Sequence, residues 1–110
     1  MGQMAVGTVV TVFRSRLRSD AEERGYGRVA QEMEERAQTM PGFVDFKTFT
    51  ALDGERVSIV EFTSLEAQQR WRDDQEHRRA QQMGRDDFYE EYSISVCHLT
   101  KRRTYRRPKA

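Results

Sequence analysis

The residues best suited to chemistry sit in one short span. Trp71 is the only tryptophan of the chain, His77 follows six residues later, and Arg85, Phe88 and Tyr89 come close behind. A tryptophan offers a flat wall to a planar ligand. A histidine with an ordinary pKa of ~6.5 can take or give a proton near neutral pH. Each residue also has a plainer reading. Trp71 stands at helical spacing from Ala67, as a core residue does. His77 suits a helix start whose ring bonds a backbone carbonyl. Arg78, Arg79 and Arg85 suit a solvated face of ion pairs with nearby acids.

Other chemistries lack their signals. Gly25-Tyr26-Gly27 is short of the third glycine of a phosphate-binding loop and does not directly follow a strand. His77 and His98 lie on different elements and lack metal-ligand spacing, which argues against a catalytic zinc site. No serine sits in a nucleophile elbow and no Cys–His pair is recognisable. Cys97, in mid-strand, reads as a small packing residue. The sequence therefore calls for neither a cofactor nor a metal.

The elements that must position these residues follow from periodicity. Residues 8–17, after a short lead-in containing Gly2 and Gly7, read as a strand with Val9, Thr11 and Phe13 on one face and Val10 and Val12 on the other. Ser19-Asp20-Ala21-Glu22 has the pattern of a helix start, and Tyr26, Val29, Ala30, Met33, Ala37 and Met40 recur at helical spacing. Gly25 and Gly27 imply that this helix is kinked early or regular only from Tyr26, and Pro41-Gly42 ends it. Phe43 to Ala51 and Arg56 to Thr63 form a hairpin around Asp53-Gly54. On the first of these strands Phe43 and Phe49 oppose Val44 and Phe46; on the second Val57 and Ile59 oppose Val60 and Phe62. Ser64 caps a helix running to about Asp73, a second helical stretch spans Glu76 to Met83, and Asp86 to Tyr89 adds a turn. Tyr92 to Thr100 is the last strand, with Tyr92, Ile94, Val96 and His98 on one face and Cys97 and Leu99 on the other.

The order β-α-β-β-α-β predicts an α+β, ferredoxin-like subunit with an antiparallel sheet. Helices cover one face of such a sheet, and here the other face is apolar too. A second copy of the chain packed sheet to sheet accounts for it, so a homodimer is expected.

Composition sets the outer bounds. The chain has 110 residues, 34% charged and 36% hydrophobic, enough for one domain with a thin core. There is no apolar run of transmembrane length and no secretory signal, and one cysteine forms no internal disulfide, so a cytoplasmic protein is expected. Six of the 19 basic residues lie in 101–110, which contains no acid. Residues 1–100 thus carry 13 basic against 18 acidic residues, a net charge of -5, and the tail carries +6. The interleaving of acids and bases in 1–100 argues against nucleic-acid binding by that domain. The tail reads as a frayed terminus or as an electrostatic arm for a polyanion or a partner subunit.

Taken together, MPGFVDFKTFTALDGERVSIVEFTS, a tryptophan-bearing helix and EHRRAQQMGRDDFYEEYSISV resemble the antibiotic biosynthesis monooxygenase family of dimeric α+β barrels. The resemblance spans about residues 8–100, with Met40-Pro41-Gly42-Phe43, Phe62-Thr63-Ser64, Trp71 and Glu76-His77 in the family's order. It implies a cofactor-independent monooxygenase that oxidises an electron-rich planar aromatic with O₂ to a quinone. Trp71 matches the family's helix tryptophan and would line the pocket, while His77 falls where some cofactor-free members carry a tyrosine and would serve as base or hydrogen-bond partner. Arg85 and Tyr89 would stabilise a substrate anion; Phe13, Phe49 and Phe62 would supply walls from the strands. The alternative is a small-molecule-binding or stress-related dimer without turnover. Haem-degrading relatives pair Trp and His, at longer spacing, with an asparagine, and this chain contains no asparagine.

Overall fold

A computed structural model of the chain describes residues 7–109; the Gly2 part of the expected lead-in lies outside them. β1 (Val9–Leu17), α1 (Tyr26–Gln38), β2 (Phe43–Thr50), β3 (Arg56–Phe62), α2 (Leu65–Asp73), α3 (Gln75–Met83), a π-helical turn (Gly84–Phe88) and β4 (Tyr89–His98) follow one another. The strands form one antiparallel sheet in the order β2-β3-β1-β4. This is the ferredoxin-like α+β arrangement that the element order predicts.

Both faces of the central strands are apolar, as expected. Residues paired across an antiparallel ladder share a face. The pairs Val9–Phe62, Thr11–Val60 and Phe13–Ser58 face the helices. Val12–Ile59 and Arg14–Val57 face away from them. On β2 the expected alternation fails at one point. The register shifts between Phe43 and Asp45, leaving Val44 without a partner, so Phe43 and Phe46 come to the same, helix-facing side. A bulge adds one residue and reverses the parity beyond it.

Turn chemistry sets the boundaries. Ser19 and Asp20 start a series of turns, and α1 is regular only from Tyr26, because Gly25 adopts φ +97 in front of it. In those turns Asp20 accepts from Arg18 and Arg24, whose hydrogen bonds and charge pull its carboxyl down to about 2. Gly54 (φ +93) closes the β2–β3 hairpin, with the Ala51 N–H donating to the Glu55 carbonyl at 2.7 Å. The last strand starts at Tyr89, three residues earlier than its apolar pattern suggests, and stops at His98.

The core consists of two clusters on the helix side. One gathers Phe62, Val60, Ala37, Ala67 and Trp71; the other gathers Ala21, Val29 and Phe88. Met33 of α1 packs against both. Cys97 is exposed on edge strand β4 and is not the packing residue the sequence suggested. Residues 101–109 have no regular structure and are exposed, tied back by one ion pair from Arg102 to Glu61 (2.8 Å). Among the described residues no helix is long and apolar enough to cross a membrane.

Candidate functional site

The helices leave part of the inward face of the sheet open. A cleft of about 990 Å³ lies between them and the strands, at the upper end of the sizes that small-molecule sites take. Strand register builds its floor in rungs. Phe46, Val60, Thr11 and Val96 make the first, and Thr48, Ser58, Phe13 and Ile94 the second. Arg56, Ser15 and Tyr92 make the third, nearest the hairpin. Polarity therefore rises along the floor from an apolar end to a cationic one. The Thr48 and Ser58 hydroxyls bond each other at 2.8 Å midway.

The roof comes from helix faces. Tyr26, Val29, Ala30 and Met33 of α1 line it at helical spacing, with Gln68 and Trp71 of α2 and His77 and Ala80 of α3. Trp71 belongs to the core cluster and lines the cleft as well. The His77 ring stacks on the Trp71 indole, 3.8 Å between centroids and within 9° of parallel.

Local backbone chemistry sets this stack. Asp74 breaks the α2 helix (ψ 134) and caps α3, accepting from the His77 N–H at 3.1 Å. Asp74 is itself held by the Arg36 guanidinium of α1 at 2.6 and 3.0 Å. That guanidinium keeps the Asp74 carboxyl below the usual carboxylate range. Asp74→Ala is accordingly expected to cost about 0.5–2 kcal/mol of stability by urea denaturation, whereas Asp74→Ser keeps the cap and recovers most of it.

The His77 tautomer follows from its partner. Its Nδ1 lies 2.9 Å from the Trp71 carbonyl, which can only accept, and 3.2 Å from the Gln81 amide nitrogen; the shorter contact, to the carbonyl, assigns the proton to Nδ1. The neutral ring then has its lone pair on Nε2, which has no hydrogen-bonding partner among the described residues. Burial pushes the imidazole pKa below its ordinary value, against the opposing pull of the Trp71 carbonyl and Asp74. At neutral pH His77 is thus a neutral ring able to accept a proton.

Of the remaining expected site residues, Phe13, Arg85 and Tyr89 line the cleft. Phe13 packs against Tyr89 and Tyr92, at 5.4 and 5.5 Å between centroids. Burial raises the Tyr89 phenol well above its ordinary range, so it stays a neutral donor. Arg85 is exposed and donates to Gln82 at 2.8 Å. Two expected walls are elsewhere. Phe62 is fully buried in the core cluster with Trp71 and lines no part of the cleft. Phe49 pairs with Val57 on the face away from the helices and is 50% exposed there.

Among the lining residues outside the expected set, Gln68 and Arg56 bear most on chemistry. Gln68 is only 7% exposed, and its carboxamide has no partner among the described residues. Its position three residues before Trp71 puts it on the same helix face, a signal that spacing contained. Arg56, at the start of β3, shares the inward face with Ser58 and Val60. No three His, Cys, Asp or Glu side chains come together as a metal-binding group among the described residues.

The sequence profile of the family described as antibiotic biosynthesis monooxygenase matches residues 8–83. The YqjZ protein of Bacillus subtilis is 30% identical over 83 residues, covering 76% of this chain and 73% of that protein. Among solved structures, SnoaB of Streptomyces nogalater, a cofactor-independent oxygenase, superposes with a TM-score of 0.73 at 19% identity, over 90% of this chain and 97% of that one. Rv0793 of Mycobacterium tuberculosis gives a TM-score of 0.77 at 15% identity, over 88% and 99% of the two chains. The fold of these two solved structures is the fold of this chain.

Proposed function

Given that the chain belongs to the antibiotic biosynthesis monooxygenase family, we propose that it is a cofactor-independent oxygenase for a planar, electron-rich aromatic such as an anthrone or polycyclic phenol. The observation that carries this reading is His77, stacked on Trp71 at the roof of an aromatic cleft with an unpartnered Nε2.

The ligand lies on the floor between Phe13 and Trp71. His77 Nε2 takes a proton from the substrate, and the anion passes one electron to O₂. The substrate radical and superoxide combine, forming a C–O bond. The peroxide recovers the proton from His77, then loses water with a second substrate hydrogen to give the quinone carbonyl. One oxygen atom ends in the product and the other in water. The protein contributes a base, a water-poor cavity and donors to the anion. The Gln68 carboxamide, the Trp71 indole N–H and the Tyr89 hydroxyl are those donors.

Oxygen uptake with an anthrone in the absence of any added cofactor tests the proposal. Catalysed uptake with quinone formation is expected, and binding without uptake would make the cleft a ligand carrier. The pH profile is a second check. Because burial lowers the His77 pKa, kcat/KM should fall as pH drops through a value below 6.5 and be flat above it. A limb centred above 6.5 assigns the base elsewhere.

The reading includes a homodimer. The face away from the helices presents Val10, Val12, Val57, Ile59 and Phe49, with no helix or strand of the described residues packed across them. A second sheet would cover this stripe. Sedimentation should show a dimer for the native chain and a monomer for Ile59→Arg; a native monomer would refute it.

A further inference from the structure

We propose that Arg56 is the specificity determinant of the cleft and binds a carboxylate on the aromatic ligand. This deepens the reading above and rests on the cleft being a ligand site. Three arginines among the described residues are not exposed: Arg16, Arg18 and Arg56. Arg16 pairs with Asp53 and Glu91, and Arg18 pairs with Asp20. Arg56 has no carboxylate partner among the described residues. Among the described residues its Nε is buried with no hydrogen-bond acceptor, and its side chain makes one bond, a long one of 3.5 Å from Nη1 to the Thr50 hydroxyl.

A guanidinium on a cavity wall whose Nε–H is buried without an acceptor is costly unless an anion meets the group. No described residue supplies that anion. Glu22, which also lines the cleft, has its carboxylate over Gly27 and makes no ion pair with Arg56. Glu55, the preceding residue, is committed to Arg14 at 2.8 Å. The guanidinium carbon stands 5.5 Å from the Tyr26 ring centre, which restrains its plane. A planar fork held in that way matches a carboxylate with two parallel hydrogen bonds.

Position turns this contact into orientation. Arg56 is on the third rung of the floor and Val60, in the Trp71 cluster, is on the first. Four residues of strand separate them, roughly 13 Å, enough for a ligand of several fused rings. An acid anchored at Arg56 lays the rings across Phe13 and brings their far end under Trp71 and His77. The ligand class that follows is an extended aromatic bearing a carboxylate at the end remote from the reacting carbon.

Quenching of Trp71, the only tryptophan, by anthraquinone-2-carboxylate and by its neutral carboxamide tests this directly. The native protein should bind the carboxylate at least tenfold more tightly. Arg56→Gln should abolish that preference by weakening the carboxylate far more than the carboxamide, and Arg56→Lys should restore part of it. Equal binding of the two ligands by the native protein overturns the assignment even if a variant fails to fold, and leaves the cleft intact as a ligand site. Binding of neither ligand overturns both the assignment and the site beneath it.

Discussion

Replacing His77 by glutamine is expected to lower kcat/KM for an oxidisable anthrone by about 10²–10⁴, the usual contribution of a positioned general base. The choice of glutamine matters. Alanine would also remove the face that stacks on Trp71 at 3.8 Å and the bond to the Trp71 carbonyl. A loss after His77→Ala would then mix chemistry with packing. Glutamine offers an amide that can donate to the same carbonyl and lie near the indole, but it has no basic nitrogen. If proton abstraction at Nε2 is the role, the two variants fall together and both lose the acid limb of the pH profile. If His77 only props Trp71, glutamine keeps most of the activity while alanine loses it. Ligand affinity separates the cases further, because removing the base should leave the anthraquinone carboxamide bound with nearly native affinity.

The contrast between what was and was not legible in the sequence lies in parity and burial. The alternation of Val9, Thr11 and Phe13 against Val10 and Val12 placed both faces of β1 correctly, because a strand without irregularity keeps period two. The same rule misplaced Phe46, since the unpaired Val44 reverses the faces beyond it and nothing in PGFVDF marks the bulge. Parity put Phe49 opposite Phe46 and was right to do so; the error lay in assigning Phe49 to the inward side. Trp71 and His77 were found by residue type, and their stacking depends on the break at Asp74, which leaves no periodic trace. Gln68 and Arg56 were passed over because a polar residue in a polar run gives no sign of burial. Both were recoverable from geometry, one through its helix spacing to Trp71 and the other through its strand parity with Val60.

Phe62→Ala carries the largest expected effect on stability, and it also bears on the site. Phe62 is fully buried, meets Phe43 edge-on at 5.9 Å, and shares its cluster with Trp71, Val60, Ala37 and Ala67. Truncating such a phenylalanine costs about 3–5 kcal/mol, part from lost burial and part from the cavity left behind. For a domain of this size that is a fall in Tm of more than ~12 °C, read by calorimetry at matched protein concentration. The neighbours decide how much is recovered. Ala37 and Ala67 are too small to fill the space, and the β3 backbone is held between β1 and β2. Phe43 and Trp71 are large side chains beside the void, and a shift of Trp71 into it would pull its indole away from His77. The variant should therefore lose activity beyond what its folded fraction explains, while Phe62→Leu, which keeps most of the volume, should retain both. A Phe62→Ala protein with native turnover per folded molecule would mean that the Trp71–His77 stack is held by α2 and α3 alone, through Asp74 and Arg36, with no support from the sheet.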